Sequence, residues 1–321
     1  MDSNFRRRRP AYGFPFLDVQ TTAILEEKSR LAQSILQRSG YRRIMPPALD
    51  FPETFSVYQG YESFRLRDGL GEDLALRSDV TVQVMKAMGN LFGKDQGIQK
   101  IYYALSVYRD IRKNYPSLRE IWQIGAENLG EMPEKSMREL LPLATEILRQ
   151  VFKASYTILL GDIRVLLSLE KFFGERSLRS VVYRRNAPQF KDILAQKMEE
   201  KKAQHLSLFL LYPPQSAQEF FSLWEEYRSS FPQELVFQIE GYWQKLHELC
   251  AEFPDENIKW EPLLSSPTLY YSGWFFEIYI PTLREPPVRG GEYKELLRKY
   301  SEKDLPACGF ALDLSSLCGI R

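Results

Sequence analysis

Cysteine and histidine are scarce in this sequence. Among 321 residues there are three cysteines, Cys250, Cys308 and Cys318, and two histidines, His205 and His247. An odd number of cysteines without CxxC spacing excludes a disulfide framework or a zinc site, and the three read as reduced thiols. Both histidines fall in helical-looking stretches, HLSLFLL and QKLHELC, so neither a metal centre nor a histidine-based triad has its residues. Charge of one sign is also lacking. The 43 basic and 42 acidic side chains leave a net charge of +1. That balance gives no global pull toward a membrane and argues against tRNA as a partner. No apolar run is long enough to cross a bilayer, and the N-terminus has no signal-peptide core, so a cytoplasmic protein is expected. Internal repeats and low-complexity tracts are absent as well.

What is present suits a globular α+β chain. Hydrophobic residues make up 44% and charged residues 26%, enough for a sizeable core in one large domain or two ordinary ones. Arg6 to Arg9 form a basic run that reads as a solvated arm. Thr21 to Ser39 places Ile24, Leu25, Leu31, Ile35 and Leu36 at helical spacing, with Gly40 as the stop. Pro46-Pro47 then suits an edge strand. Ser78 or Asp79 can cap a helix running to about Asn90. IYYALSVYR and REIWQIGAENL read as an antiparallel hairpin with a long loop. Pro133 opens a helix, and YTILLG is a short strand. Residues 162–255 turn helical and charged. β character returns in LYYSGWFFEIYI and again at Ala307 to Leu312, on either side of a tight Gly290-Gly291 turn. Strands on both sides of a helical stretch predict a discontinuous core, 1–161 with 256–321, built on an antiparallel sheet flanked by helices. A helical insertion occupies 162–255.

Five segments, in order along almost the whole chain, resemble a class II aminoacyl-tRNA synthetase of the histidyl type. GYRRIMPPALDF is similar to motif 1, with Pro47 at the family's dimer interface. LRSDVT is similar to LRPEGT. YRDIRKNYPSLREIWQIGAENLG is similar to motif 2 and its hairpin. LYYSGWFFEIYI is similar to the histidine-binding LDYYTRTVFE stretch. RGGEYKELL with CGFALDL is similar to the GGRYD loop and motif 3. By this resemblance the histidine-binding residues are Asp79, Thr81, Gln123, Glu127, Tyr270 and Tyr271. Carboxylates, an amide and phenols suit a small cationic, aromatic amino acid.

The departures fall on the nucleotide side. Adenylate formation needs arginines around the α-phosphate, because they are always charged and bidentate. Arg109 matches the motif 2 arginine and is the one remnant of a nucleotide site. The acid of the family's FRxE aligns with Ile111. The arginines of RGLDYY and GLERL align with Ser266 and Ser316, and that of GGRYD with Glu292, which puts a carboxylate where phosphates are expected. The sequence ends at Arg321, directly after motif 3, where histidyl-tRNA synthetases continue into an anticodon-binding domain.

A short synthetase-like chain with broken ATP motifs resembles the regulatory subunit of ATP phosphoribosyltransferase. That resemblance implies no catalytic residues, no cofactor and no metal. It also implies a short-form catalytic subunit as partner in the first step of histidine biosynthesis, L-histidine as effector, and a homodimer or higher hetero-oligomer. The alternative is a minimal histidyl-tRNA synthetase-like ligase that adenylates an amino acid.

Overall fold

A computed structural model describes residues 10–56, 63–91, 97–110, 118–266, 268–300 and 305–320. The Arg6–Arg9 run and Ile111 lie outside them. The chain divides into two compact units, Met1–Ser155 with Ile280–Arg321, and Tyr156–Tyr279.

In chain order the first unit begins with helix α1 (Val19–Arg38) and the short strands β1 (Arg42–Arg43), β2 (Leu49–Asp50), β3 (Arg65–Arg67) and β4 (Asp73–Leu76). Helix α2 (Val80–Leu91), strands β5 (Gln99–Tyr108) and β6 (Glu120–Leu129), and helix α3 (Pro133–Ile147) follow. The second unit holds β7 (Thr157–Asp162), six helices and two strands. The helices are α4 (Ile163–Phe173), α5 (Leu178–Tyr183), α6 (Ala187–Leu194), α7 (Glu200–Leu211), α8 (Ala217–Arg228) and α9 (Gln233–Ala251). The strands are β8 (Ile258–Glu261) and β9 (Trp274–Tyr279). The chain returns to the first unit with β10 (Val288–Glu292), α10 (Lys294–Arg298), β11 (Ala307–Asp313) and α11 (Leu314–Leu317).

The first unit's main sheet runs β1-β5-β6-β11-β10, antiparallel except for the parallel β1–β5 pair. Its centre is the predicted hairpin, paired without a break from Gln99–Leu129 to Tyr108–Glu120. α3 covers one face with Met137, Leu140, Leu141, Ala144 and Ile147, all buried and recurring at helical spacing. α1 buries Leu25, Ala32, Ile35 and Leu36. Ile24 and Leu31, expected on the same stripe, are instead 48% and 39% exposed. They stand seven residues apart on a neighbouring stripe. A second sheet, β2-β4-β3, had no clear signal in the sequence, because its strands are two to four residues long.

Two expectations are corrected here. Gly290 and Gly291 do not form a tight turn. They lie inside β10, opposite Phe310 and Gly309 of β11. The strand expected from Leu269 begins only at Trp274, so Tyr270 and Tyr271 precede it.

In the second unit β9 and β8 flank β7, antiparallel and parallel respectively. The predicted helices supply its core. Phe220 lies edge-on to Trp243 and Trp260, with ring centroids 4.9 and 4.6 Å away, and Trp224 lies edge-on to Trp243 at 4.9 Å. The indole nitrogens of Trp224 and Trp243 donate to Glu240 Oε1 at 2.7 Å and to the Pro262 carbonyl at 3.1 Å. A buried indole is thereby kept from losing a hydrogen bond.

Candidate amino-acid-binding site

Strand β6 sets the floor. Gln123, Gly125 and Glu127 alternate onto one face, and their partners on β11 are Asp313, Ala311 and Gly309. Four residues of strand place Gln123 and Glu127 about 13 Å apart at the backbone, with Gly125 between them. A Cβ on Gly125 would collide with the Tyr103 ring and the Phe310 carbonyl, and one on Gly309 would fall on the Glu127 carboxylate and the Tyr293 hydroxyl. The two glycines therefore leave room for two tyrosines. The Tyr103 ring lies against Gly125, an aromatic surface between a carboxamide and a carboxylate. Neither tyrosine was singled out from the sequence. The available signal was a glycine in the middle of each of two otherwise well-formed strands.

Helix α2 delivers the next two groups. Asp79 precedes it and accepts from Val82 N–H at 2.9 Å, the N-cap arrangement expected from the sequence. Thr81, in the first turn, donates to Glu127 Oε1 at 2.7 Å. The Tyr293 hydroxyl donates to the other oxygen, Oε2. Glu127 is fully buried. Burial pushes its carboxyl well above the ordinary carboxylate range; the Thr81 hydroxyl pulls it back, and the negative charge of Asp79 pushes it further up. Asp79, Thr81, Gln123 and Glu127 thus belong to one unit of the chain. Thr81 and Glu127 are bonded to each other, and Asp79 acts on Glu127 electrostatically.

The start of α2 is held by Arg77, also buried. Its Nε donates to the Ser106 carbonyl at 2.6 Å and its Nη1 to the Pro46 and Pro47 carbonyls at 2.9 and 3.2 Å. One guanidinium fork thus ties the Pro46-Pro47 segment and β5 to the head of α2.

Tyr270 and Tyr271 lie in the second unit, with ring centroids 5.1 Å apart. Tyr271 is buried against Phe275, 4.4 Å between centroids, while Tyr270 is half-buried. Ser266 is buried in the same unit, and its hydroxyl accepts from Thr268 N–H at 3.1 Å.

On the expected nucleotide side, Arg109 Nε reaches the Ser78 carbonyl at 3.4 Å, and its charge acts on Asp313. Ser316 donates through N–H and Oγ to Asp313 at 3.0 and 2.7 Å, capping α11. Glu292 lies on the other face of the sheet. It pairs with Cys308, which pairs with Asn128, so it shares the α3-covered face and not the face of Glu127. Strand alternation is the cause, because Gly291 takes the position facing Glu127. Burial, together with the charge of Glu292, raises the Cys308 thiol.

No group of three or more histidine, cysteine or acidic residues among the described residues could hold a metal ion. No described helix is long and apolar enough to cross a membrane.

This architecture, a largely antiparallel sheet whose central hairpin carries a buried cluster of polar side chains, is that of the class II aminoacyl-tRNA synthetase core. A Bacillus halodurans structure named as an ATP phosphoribosyltransferase regulatory subunit/histidyl-tRNA synthetase matches with a TM-score of 0.81 at 20% identity, over 98% of this chain and 83% of its own. The histidyl-tRNA synthetase family model matches residues 13–317, and the chain belongs to that family. The ATP phosphoribosyltransferase regulatory subunit of Leptospira interrogans is 25% identical over 325 residues, 95% of this chain and 92% of that protein. The histidine–tRNA ligase of Pyrobaculum neutrophilum is 26% identical over 322 residues, 97% of this chain and 75% of that protein. Overall identity does not separate the two kinds of relative, so the distinction rests on the site residues.

Proposed function

We propose that this chain is a non-catalytic regulatory subunit of ATP phosphoribosyltransferase, acting with a short-form catalytic subunit in the first step of histidine biosynthesis and sensing L-histidine as the end product. The observation that carries the reading is the contrast between the residues that resemble the family's amino-acid ligands and those aligned with its phosphate-binding arginines. The amino-acid side keeps two acids, a threonine and a carboxamide on one framework: Asp79, Glu127, Thr81 and Gln123. The nucleotide side has serines at 266 and 316 where the family has arginines, and Ser316 is engaged in capping a helix. Arg109 alone is a poor substitute for several always-charged, bidentate groups around a polyphosphate. The assignment of Tyr270 and Tyr271 to the imidazole rests on the resemblance.

Regulatory-subunit relatives support this reading. The ligase relatives keep a second one open, a minimal synthetase-like ligase. ATP–pyrophosphate exchange with histidine separates the two. The regulatory reading expects no exchange above background, and exchange at synthetase-like rates would establish the ligase.

We also propose that the chain pairs with a second copy through the α1 and Pro46-Pro47 face. Met45, Leu49 and Phe51 are exposed there. Met45 and Leu49 line an open cavity of about 380 Å³ with Pro46, Pro47 and the Asp50–Lys86 ion pair, and the Phe51 ring centroid is 5.4 Å from Lys86 Nζ. An apolar patch of this kind, rimmed by charge, fits a two-fold contact.

A further inference from the structure

Helix α9 of the second unit packs inward with one face and leaves the opposite face to solvent. Val236, Ile239, Trp243, Leu246 and Leu249 are buried. Phe237 projects from the other side and is 82% exposed, more than any other large hydrophobic side chain described in that unit. Gly241 stands one turn further along the same face and is also exposed. A Cβ at Gly241 would meet nothing within 4 Å. Nothing inside the chain therefore requires glycine there, although glycine in a helix interior weakens the helix relative to alanine. A projecting ring and a bare stretch of backbone, one turn apart on one stripe, form a knob and a notch.

The charges on this stripe are matched in the same way. α9 carries one lysine, Lys245, no arginine, and three glutamates, Glu234, Glu240 and Glu248. Glu240 turns toward α8, where it meets Arg228 at 3.4 Å and the Trp224 indole at 2.7 Å. Glu248 accepts from Gln244 at 3.0 Å. Glu234 and Lys245 are exposed, and neither has an ion-pair partner among the described residues. About 16 Å of helix separates them, too far for them to pair with each other.

We propose that the outer face of α9 is a contact between two copies of this chain, antiparallel, with Phe237 of each copy seated over Gly241 of the other. In that register the two-fold axis crosses α9 at the level of Ile239. Glu234 then falls opposite Gln244 and beside Lys245 of the second copy, and the symmetry repeats each pair. The register that seats the ring also pairs the charges, and a slip of one turn loses both. Knob, notch and both charges lie on one face of one helix, and this self-complementarity selects a second copy as the occupant. The glycine lets the two helices approach closely enough to cover the aromatic anchor. One helix face is a small area, so the contact is weak and forms above the micromolar range, in addition to the Pro46-Pro47 face.

The test is sedimentation of the full chain carrying Met45→Glu, which removes the Pro46-Pro47 face, from micromolar concentration to about 1 mM. The average mass should rise toward that of a dimer. Adding Phe237→Glu should keep the protein monomeric throughout. Gly241→Gln should do the same while raising the thermal midpoint, because glutamine is the better helix former, and this separates loss of the contact from loss of the fold. Glu234→Lys and Lys245→Glu should each weaken association roughly three- to tenfold, and the two together should restore it. A monomer at every concentration before these additions would overturn the contact, as would association of the same strength with Phe237→Glu. A double charge exchange that fails to restore association would overturn the antiparallel register and the proposal with it. Dependence on Phe237 only in the presence of a short-form catalytic subunit would make that subunit the occupant and overturn the second copy.

Discussion

At the scale of single residues, the site is organised around a carboxyl group that burial disfavours as an anion. The pKa of Glu127 is raised well above its ordinary value of 4.5. The folded protein therefore holds this proton more tightly than the unfolded chain does. Its contribution to stability is fully present below the unfolded pKa and is lost as pH rises through the folded one. Glu127→Gln removes that dependence while keeping shape and hydrogen bonding. Urea midpoints of the two proteins, compared from pH 4 to pH 8, should diverge in favour of the variant as pH rises. A constant difference across the range would mean that Glu127 ionises normally. Asp79 combines two roles that substitution can separate. Asparagine caps a helix about as well as aspartate but carries no charge. Asp79→Asn should leave stability within about 0.5 kcal/mol and still weaken histidine binding by calorimetry. If stability and affinity fell together, the cap would account for both.

At the scale of elements, the head of α2 joins the buried Thr81–Glu127 pair to the Pro46-Pro47 segment, and Arg77 is the connection. Replacing it with methionine keeps much of the volume and leaves the carbonyls of Ser106, Pro46 and Pro47 without their donor. At about 1–3 kcal/mol for a buried group left unpaired, Arg77→Met should destabilise by roughly 2–4 kcal/mol, measured by urea unfolding. A change under about 0.5 kcal/mol would show the three contacts to be incidental.

Most of the elements were legible in the sequence because their patterns are long. The β5–β6 hairpin spans ten residues on each strand, α3 carries an unbroken apolar stripe, and the Asp79 cap stands directly before an apolar run. Short elements were not legible, since strands of two to four residues such as β2, β3 and β4 show no period. Glycine pairs were misread for a related reason. Turn and strand use the same residue, and only the partner strand reveals that Gly291 faces Gly309. Alignment by resemblance located Glu292 without its face, which strand register alone decides. It located Glu127 without revealing that Tyr293 already occupies one of its oxygens.

At the scale of the whole molecule, assembly carries the account. The exposed Met45, Leu49 and Phe51 and the off-stripe Ile24 and Leu31 of α1 predict a dimer. Sedimentation velocity at micromolar concentration should give a dimer that Met45→Glu shifts toward monomer, whereas a wild-type monomer would contradict the proposed face. Regulation then requires that histidine bind one state of the assembled complex better than another, typically by about 1–3 kcal/mol. The most direct measurement is the ATP phosphoribosyltransferase activity of a short-form catalytic subunit, assayed alone, with this chain, and with this chain plus L-histidine. The account predicts low activity alone, a large increase on adding the chain, and inhibition by histidine that Gln123→Ala weakens. Activity indifferent to the chain, or histidine inhibition of the same strength without it, would contradict the account.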